Sequence, residues 1–555
     1  MVIPPRPWIA PNSGGYYSTQ ADIMRFLNYK VQIDPLFQRS DEMDYIFRGL
    51  NALGSTAWRV NKRLLKIAET IWEMGGGMVE VPPRFDLPIP TPGPEGKTPE
   101  WKKAVRRVNK TNTENHSLRM THVLKIDVLD EMKDEDRFYF PHNIDFRGRV
   151  YPLPGHLNHM GSDFGRGILE FASGVPLGKR GFWWLQIHLA NLAGMDKLPH
   201  SERIKYVENN LEEFFEVCDK PLSGTRSWMY KDDPWQYLAA CIEFTEAVRS
   251  FNPETFLSHI PVHQDGSCNG LQHYSALGGD IEGARSVNVL PSETPRDVYT
   301  EVLKIIQQKI AKDKLENHPM AILLEGKIQR KIVKQTIMTS VYGVTFIGAR
   351  KQIQNALIDR FPDFPVEKMF DATVYIAKKT FDALEDLFKG ARSIMEWLVI
   401  CANLVCKGQK NLTWITPLGL PVVQPYRKHS KFDTVSTILQ QVILEDIGYL
   451  PVNPRRNATA FPPNYVHSLD SSHMFMTAVE CQERGIVYAS VHDSYWTHAR
   501  HVDEMNYILR EKFIALYKRP LLQELRNYWL SQNPDLRLPE VPPYQGLNID
   551  DVMYS

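Results

Sequence analysis

The sequence predicts a predominantly helical α+β protein. Helical patterns extend over long stretches, most extensively over 101–134 and 295–408. Two short apolar runs instead have the length of strands, and each leads into an acid, Asp265 or Asp493. A proline-rich stretch over 81–100 is incompatible with a helix and separates the first two helical blocks. We therefore expect a mostly helical fold with a small β component that carries acids at its strand ends.

The N-terminal half alternates helical blocks with loops. Residues 18–79 have a mostly helical pattern, which is clearest over 51–73. The segment FPHNIDFRGRVYPLPG, residues 140–155, is strand-like and basic. Further helical patterns precede the strand of Asp265 and cover 182–197, 202–218 and 234–250.

The C-terminal half is helical at first and then irregular. Residues 411–424 are β-like, and the section that follows is irregular as far as Pro463. The last segment predicts a helix, a hairpin around Asp493, a helix over 502–517 and a loose tail. We find no internal repeat or low-complexity tract that would indicate a repeat architecture.

The stretch HQDGSCNGLQHYSALGGD places an acid at the end of an apolar run. Asp265 is followed by Gly266 and Ser267, and Asp-Gly-Ser by itself is ordinary turn chemistry. The alternative is a metal ligand, because glycine beside a strand-end carboxylate lets a bulky anion approach the backbone. Magnesium sites for phosphoryl transfer take one or two carboxylates plus phosphate oxygens. A second acid of this kind elsewhere in the chain would therefore favour the metal site over an ordinary turn.

A second acid of this kind lies far downstream, in RGIVYASVHDSYWTHA. The apolar run 486–491 leads to His492 and Asp493 and then turns back into Tyr495 and Trp496. A hairpin with a polar tip is the alternative interpretation. Two such acids could hold two magnesium ions, one at the attacking oxygen and one at the leaving oxygen. Spacing in the sequence does not establish that the two acids meet.

A third pattern is the basic helix GKIQRKIVKQTIMTSVYGVTFIGAR, residues 326–350. It places Arg330 and Lys334 one turn apart, and Tyr342 lies about 12 Å further along the helix axis. Gly343 is a natural terminator. A nucleoside triphosphate has a similar length, so the cations could bind phosphates while the tyrosine meets sugar and base. A solvated basic face is the alternative, although this face continues into apolar residues.

Composition places the chain among ordinary globular proteins. The 555 residues suffice for about three to four domain-sized units. The 65 basic and 65 acidic residues cancel, which argues against a uniformly basic nucleic-acid binder but not against a local basic cleft. The six cysteines form no CxxC pair, so neither a zinc ribbon nor a disulfide framework is indicated. No run approaches the ~18 apolar residues that a membrane span needs.

The motifs DGSCNGLQH, RKIVKQTIMTSVYG and SVHDSYW together resemble the three polymerase motifs of the single-subunit, bacteriophage-type RNA polymerases. The VKQT and VYGVT segments most resemble the mitochondrial and organellar branch. Further segments agree in the family's order: PPRPW, DFRGRVYP, LANLAGMDKLPHSERIKYVE, WITPLGLPVVQPYRK and FPPNYVHSLDSSHM. The resemblance covers nearly the whole chain, from Pro4 to Leu525, and several long motifs in order make it specific.

The resemblance implies a right-hand architecture of palm, fingers and thumb around a template cleft, with a small antiparallel sheet in the palm. The thumb-containing part would be 1–140. The palm would combine 141–281 with 467–555, which also holds the C-terminal tail. The fingers would be 282–466, including the region where the family carries its promoter-reading loop. That region, 427–460, shows little usable resemblance, so the promoter sequence cannot be inferred.

The resemblance also implies the catalytic residues. Asp265 and Asp493 match the metal-binding acids, and the backbone carbonyl of Gly266 is a plausible further ligand. Lys334 matches the catalytic lysine of the fingers helix. The implied cofactor is a pair of Mg²⁺ ions, which would lower the pKa of the RNA 3′-hydroxyl and neutralise the pyrophosphate.

Further residues match positions that contact nucleotide or nucleic acid. Arg330, Lys334 and Lys197 match triphosphate-binding cations. Residues that match positions near the sugar or the incoming nucleotide are Tyr342, which would sense the ribose, His467, near the 2′-hydroxyl, and Tyr299. Arg149 and Tyr151 match residues that line the hybrid. One departure from the phage members is Gln335, where they carry an additional basic residue; it leaves phosphate binding more dependent on the three cations.

The implied function is a DNA-directed RNA polymerase that transcribes an organellar genome, with DNA template, nascent RNA and ribonucleoside triphosphates as its partners. One alternative is a DNA polymerase of the same architecture, which would carry a bulky acid after Asp265 as a gate against the 2′-hydroxyl; Gly266 to Gly270 contain none. The other is an inactive nucleic-acid-binding descendant, which the presence of both acids and the cations disfavours.

The family also implies what to expect around this chain. Members carry a substantial region ahead of the PPRPW segment, and organellar members add a targeting sequence, whereas only three residues precede Pro4 here. We expect the chain to be the catalytic part of a longer polymerase, located in the mitochondrial matrix. Organellar initiation factors are expected as further partners, because a chain without that region should extend an opened scaffold but not open a closed promoter.

Overall fold

The computed structural model describes residues 1–27, 29–292, 294–341, 343–428, 433–436, 441–444 and 450–554. Helices dominate these residues, as the sequence predicts, and the strands form several small sheets. The α+β class is therefore confirmed.

Twenty α-helices occur in the described residues. They are α1 (Tyr29–Gln38), α2 (Asp44–Gly54), α3 (Lys62–Glu73), α4 (Pro99–Met132), α5 (Asp163–Gly167), α6 (Gly178–Ala190), α7 (His200–Asn209), α8 (Leu211–Asp219), α9 (Pro234–Arg249), α10 (Asn269–Gly278), α11 (Ile281–Ser286), α12 (Val298–Leu315), α13 (Pro319–Leu323), α14 (Arg330–Ser340), α15 (Phe346–Arg360), α16 (Val366–Leu387), α17 (Lys389–Val405), α18 (Pro454–Glu483), α19 (Val502–Tyr517) and α20 (Leu521–Gln532).

The strands are short. They are β1 (Arg6–Ala10), β2 (Ser13–Gly15), β3 (Met24–Arg25), β4 (Ala57–Val60), β5 (Phe138–Tyr139), β6 (His142–Asp145), β7 (Val150–Pro152), β8 (Leu169–Phe171), β9 (Val175–Pro176), β10 (Leu257–Ser258), β11 (Pro261–Asp265), β12 (Thr413–Ile415), β13 (Pro421–Val423), β14 (Asp433–Ser436), β15 (Gln441–Leu444), β16 (Ala489–Val491) and β17 (Ser494–His498). The sheet that carries Asp265 at the end of β11 has the order β11–β17–β16 and is antiparallel throughout.

This three-stranded sheet lies between two apolar cores. Tyr495 of β17 belongs to the first core, and its neighbour Trp496 belongs to the second, together with Val262 of β11 and Ala489 of β16. Successive strand residues point to opposite faces, so one strand can contribute to both cores. The ends of β11 and β17 are thereby fixed by packing on both sides.

Helix α18 runs through the first core and is buried over most of its length. Its polar residues are satisfied locally: Ser472 Oγ donates to the carbonyl oxygen of Ser468 at 2.7 Å, and Thr477 Oγ1 to that of His473 at 2.9 Å. Asp470 is also buried here. The helix thus carries polar groups into the interior, and His473 contacts the sheet, with its Nδ1 3.2 Å from the hydroxyl of Tyr495 in β17.

The structure departs from the predicted elements in three places. Residues 57–60, expected to be helical, form strand β4 between two partner strands. Residues 454–463, expected to be irregular, form the start of α18 despite two internal prolines, because burial of the helix outweighs local propensity. Helix α20 lies in the expected loose tail.

The other helices that the sequence predicts lie close to their expected positions. The proline-rich segment ends where Thr98 caps α4, its hydroxyl accepting from the Trp101 amide at 3.2 Å. Helix α19 covers the predicted 502–517. Among the residues that the structure describes, no helix combines the length and the apolar character required to cross a bilayer.

Candidate active site

The structure brings the two strand-end acids together. Strands β11 and β17 pair antiparallel with Asp265 opposite Ser494. The Gly266 amide then donates to the carbonyl oxygen of Asp493 at 3.2 Å, which extends the ladder by one bond beyond the strand. Asp265 and Asp493 therefore stand side by side at one end of the sheet. The meeting that sequence spacing could not establish is a consequence of this register.

Asp493 occupies the tip of a two-residue hairpin. Val491 of β16 pairs with Ser494 of β17, so only His492 and Asp493 form the loop. His492 has φ of 56°, a left-handed conformation of the kind that two-residue hairpin turns require. The turn fixes where the carboxylate of Asp493 points.

The electrostatic surroundings of the two acids differ. Asp265 is exposed, whereas Asp493 is half-buried. Burial, followed by the charge of nearby Asp470, raises the pKa of Asp493 above its usual range, while Arg149 opposes this and Asp265 adds to it. A nearby positive charge therefore stabilises the ionised form of this carboxylate.

The donor set at this place suits a hard divalent cation. Two carboxylates stand together beside the backbone of Gly266, and these are oxygen ligands of the type that Mg²⁺ prefers. Within the described part of the chain, no cluster of three or more His, Cys, Asp or Glu side chains could hold a metal alone. Magnesium bound by one or two carboxylates takes its remaining ligands from water and phosphate, so the residues fit a metal that arrives with its substrate.

A cleft of about 650 Å³ opens next to Asp265. Its walls include Gly266, Ser267, Lys197 and Arg296. Acidic and basic side chains both line the cleft. The side chain of Lys197 is 57% exposed, and its Nζ donates to Asp196 at 2.6 Å. A phosphate group entering the cleft would therefore meet a solvated, movable cation.

The first turn of α14 forms a cluster with the start of α12. The guanidinium of Arg330 lies 5.1 Å from the ring centre of Tyr299, and Lys334 Nζ lies 5.8 Å from it. Arg330 also donates from Nε and Nη2 to the carboxylate of Asp297, at 2.6 and 2.9 Å. Burial would raise the pKa of Asp297, but hydrogen bonds from Arg330 and Thr300 and the charge of Arg330 lower it, with a smaller contribution from nearby Lys197. The three predicted phosphate-binding cations thus belong to one neighbourhood.

On the other side of Asp493, a buried ion pair supports the hairpin. Arg149 donates from Nε and Nη2 to Asp470 Oδ2 at 2.9 and 2.6 Å, and the Asp470 side chain is only 1% exposed. Burial alone would raise the pKa of Asp470, but Arg149 reverses this and the pKa is lowered. The ring of His492 in the turn packs against that of Tyr151, with 5.1 Å between their centres.

His467 belongs to the same group of side chains. Burial, then the charges of Arg149 and Arg147, lower its pKa well below the usual range. The ring is therefore neutral, and its Nδ1 accepts from Arg147 Nη1 at 2.8 Å. Asp145 anchors this arginine through Nη2 at 2.6 Å and accepts from the hydroxyl of Tyr151 at 3.4 Å.

The predicted site residues thus fall into adjoining groups around the acids. The first holds Asp265, Gly266 and Asp493, the second Lys197, Arg330, Lys334 and Tyr299, and the third Arg149, Tyr151 and His467. Tyr342 lies outside the described residues. The roles assigned to all of these residues stay predictions, because the geometry shows proximity and pairing rather than substrate contact.

Sequence reasoning missed the partners of these residues. Asp297 precedes Tyr299 at the start of a helix, where an acid is ordinary and carries no signal of its own. Asp470 follows His467 by one helical turn, and that spacing could have identified it if the segment around it had been recognised as a helix. Arg147 stands two residues before Arg149 in the same basic motif.

Comparison with known proteins gives consistent matches. The family described as DNA-dependent RNA polymerase matches residues 175–542, and the one described as DNA-directed RNA polymerase N-terminal matches residues 1–55. The chain is 47% identical over 567 residues to DNA-directed RNA polymerase 1B, mitochondrial, of Nicotiana tabacum. It is also 47% identical over 569 residues to DNA-directed RNA polymerase 2, chloroplastic/mitochondrial, of Arabidopsis thaliana.

A third relative is DNA-directed RNA polymerase 3, chloroplastic, of Nicotiana sylvestris, at 45% identity over 566 residues. Each alignment covers 100% of this chain, but 56% of the first two relatives and 58% of the third. The chain therefore spans a little over half the length of the curated relatives it matches.

Proposed function

The chain belongs to the DNA-dependent RNA polymerase family, of the single-subunit type, and on that premise we propose that it adds ribonucleoside triphosphates to an RNA 3′ end on a DNA template. The observation that carries the proposal is the β11–β17 register, which sets Asp265 beside Asp493 at the mouth of a cleft. The nearby cations of α14 supply the charge that a triphosphate needs.

Two magnesium ions are part of the proposal. When bound, they would activate the attacking 3′-hydroxyl and stabilise the pyrophosphate leaving group. Asp265 and Asp493 would hold them, with the Gly266 carbonyl as a further ligand. The protein contributes a fixed pair of carboxylates, so little rearrangement is needed when the substrate arrives.

The nucleotide would lie between the acids and α14. Arg330, Lys334 and Lys197 would bind its phosphates, and Lys334 would also stabilise charge that develops on the leaving group. Tyr299 supports two of these cations through its ring. His467 would face the 2′-hydroxyl, and Tyr342 would sense the ribose.

Arg149 and Tyr151 are proposed to line the template–RNA hybrid. Both lie beside the hairpin of Asp493: the ring of Tyr151 contacts that of His492, and Arg149 lines a small pocket together with His492. The buried pairing of Arg149 with Asp470 limits its freedom, so its contact with nucleic acid would be made from a fixed position. Such contacts hold the duplex without reading its sequence.

We also propose the right-hand division of the chain. The thumb-containing part is 1–140, the palm is 141–281 with 467–555, and the fingers are 282–466. The sheet β11–β17–β16 joins the two palm segments, and the 34-residue helix α4 suits a thumb. Helix α18 crosses the last boundary, so it would connect fingers and palm as one continuous element.

The proposed compartment is the mitochondrial matrix, with organellar initiation factors as partners. The printed names of the relatives include mitochondrial and chloroplastic polymerases, which supports an organelle in general. Fluorescent tagging of the full-length protein in its own cells tests the choice. Signal in plastids alone would overturn it.

The primary test is extension of a primed RNA–DNA scaffold with magnesium. We expect template-dependent addition of ribonucleotides in preference to deoxyribonucleotides, and no extension by Asp265→Asn. Tyr342→Phe keeps the ring and removes one hydroxyl, so we expect weaker discrimination against deoxyribonucleotides at a largely retained rate. Failure of the wild-type chain to extend, or equal use of both sugars, would contradict the proposal.

A further inference from the structure

Asn288 links the loop of the catalytic acid to the start of α12. Its Nδ2 donates to Ser267 Oγ at 2.6 Å and to the carbonyl oxygen of Arg296 at 2.8 Å. Its Oδ1 accepts from the Arg296 amide at 2.8 Å. One side chain thereby holds both the residue two positions after Asp265 and the backbone just before Asp297.

The backbone of Asn288 is in the left-handed region, with φ of 57°. This conformation is unfavourable for most residues with a side chain, although asparagine tolerates it best among them. Glycine would adopt it more easily, but it could make none of the three side-chain hydrogen bonds. Asparagine therefore suits this position twice: it tolerates the left-handed backbone and its side chain makes the three hydrogen bonds.

Asp297 continues the connection to α14. It stands at the N-cap of α12, yet its carboxylate accepts no hydrogen bond from the first-turn amides. It accepts instead from Arg330 Nε and Nη2, and from Thr300 Oγ1 at 2.5 Å. A capping role does not account for this carboxylate, whereas orientation of Arg330 does.

The pairing with Asp297 uses only part of the guanidinium of Arg330. Asp297 uses the Nε and Nη2 edge of Arg330, so Nη1 is not engaged by this carboxylate. Arg296, bonded through its backbone to Asn288, lines the same 650 Å³ cleft as Lys197 and Asp265. The connection from Ser267 through Asn288 and Asp297 thus runs from the acid loop, along one wall of the cleft, to the guanidinium of Arg330.

We propose that Asn288 and Asp297 are positioning residues for the triphosphate: together they hold the guanidinium of Arg330 at a fixed place relative to Asp265, with Nη1 directed to phosphate. The inference rests on the proposed function, which assigns Arg330 to phosphate binding. A preset guanidinium loses less freedom when the nucleotide binds, so its effect appears in nucleotide affinity more than in turnover.

The first test measures KM and kcat for the incoming nucleotide on the primed scaffold. Asp297→Asn removes the charge of the carboxylate and one acceptor but keeps the size, and we expect KM to rise about tenfold with kcat changed less than about twofold. In an Arg330→Ala background the same substitution should have no further effect, since both act through one group. An unchanged or lower KM, or additive effects in the double variant, would overturn the proposal.

The second test addresses Asn288. Asn288→Gly keeps the turn and loses all three bonds, so KM should rise about fivefold; Asn288→Asp keeps the acceptor for the Arg296 amide and loses both donated bonds, so its effect should be smaller. Asn317→Gly is the matched control, because Asn317 is exposed and has φ of 58° but lies away from the cleft. We expect its KM to equal that of wild type; equal KM values for Asn288→Gly and wild type would overturn this link.

A binding measurement separates the inference from the proposed function. Anisotropy of a fluorescent ATP analogue with magnesium reports affinity without turnover, and we expect about tenfold weaker binding by Asp297→Asn at an unchanged melting temperature. If wild type binds the analogue but does not extend the scaffold, the proposed function alone fails. If wild type extends the scaffold but Asp297→Asn binds the analogue equally well, the positioning role alone fails.

Discussion

The two halves of the candidate site are held by different means. Asp265 and Asp493 are placed by backbone hydrogen bonds of a sheet that is packed between two cores. Arg330 and Lys197 are placed by side-chain ion pairs, to Asp297 and Asp196, on elements that border an open cleft. The acids therefore have little freedom, whereas the exposed Lys197 can exchange its carboxylate for another anion.

Exposure makes the contrast quantitative. The Arg149–Asp470 pair behind the hairpin is 14% and 1% exposed, and the Arg330–Asp297 pair is 30% and 16% exposed. Water and salt weaken ion pairs as exposure increases. The acidic half is thus held by backbone hydrogen bonds and packing, and the cationic half by ion pairs that lie nearer to water.

The largest expected effect is loss of either acid. Asp265→Asn or Asp493→Asn should lower nucleotide addition at least about 1000-fold while scaffold binding is retained, because the lesion affects the transition state. Single-nucleotide extension and a gel-shift assay measure the two quantities. Asp232→Asn, in an exposed acid of the same cleft, is the control. Robust extension by either acid variant would show that the acidic half is assigned wrongly.

The next effect concerns the support behind the hairpin. Asp470→Asn removes the charge of a buried carboxylate that accepts two hydrogen bonds from Arg149, so we expect the free energy of unfolding to fall by about 3 kcal/mol. Because the folded-state pKa of Asp470 is lowered, the contribution of its carboxylate is present at neutral pH and lost in acid.

Urea denaturation at neutral pH measures this change. The matched control is Asp219→Asn, which breaks an equally well-formed but exposed pair with Arg249 and should leave the unfolding midpoint unchanged. Equal unfolding midpoints for the two variants would contradict the expectation that the buried ion pair stabilises the fold more than the exposed one.

A smaller loss of free energy, in this case of transition-state stabilisation, is expected for a change in the cationic half of the site. Lys334→Ala should lower kcat/KM about 100-fold, since it removes charge stabilisation of the phosphates, without changing the unfolding midpoint. Lys331→Ala, in an exposed lysine of the same helix, controls for loss of positive charge on α14. If the two variants lose activity equally, the effect is one of general charge and the specific role of Lys334 is wrong.

The smallest effect tests the turn itself. His492→Ala and His492→Gly lose the same ring contact with Tyr151, so their difference isolates the left-handed backbone at this position. We expect the glycine variant to be more stable by about 1 kcal/mol. A more stable alanine variant would mean that the turn conformation is not what fixes Asp493.

Local patterns predicted the two strand ends that carry Asp265 and Asp493, but not that the acids meet, which depends on the pairing of β11 with the distant β17. The apolar run before His492 and the turn chemistry around Asp265 are contained in a few residues, so strand ends and hairpin were predictable. The cation pairs were not, since Arg330 meets Asp297 across 33 residues and no periodicity connects them. Helix α18 was missed at its start, because Pro462 and Pro463 argue against a helix locally and only burial in the first core overrides them.

The long reach of the Arg149–Asp470 pair has a consequence for how the protein is made. Its partners are 321 residues apart in the chain, and at ~5–20 residues per second a ribosome needs about 15 to 60 s to cover that distance. During this interval Arg149 lacks its buried partner and β11 lacks β17, so an unpaired strand edge is open to other chains. We expect the candidate site to be among the last parts of the fold to assemble, because α18 and the hairpin of Asp493 lie late in the chain.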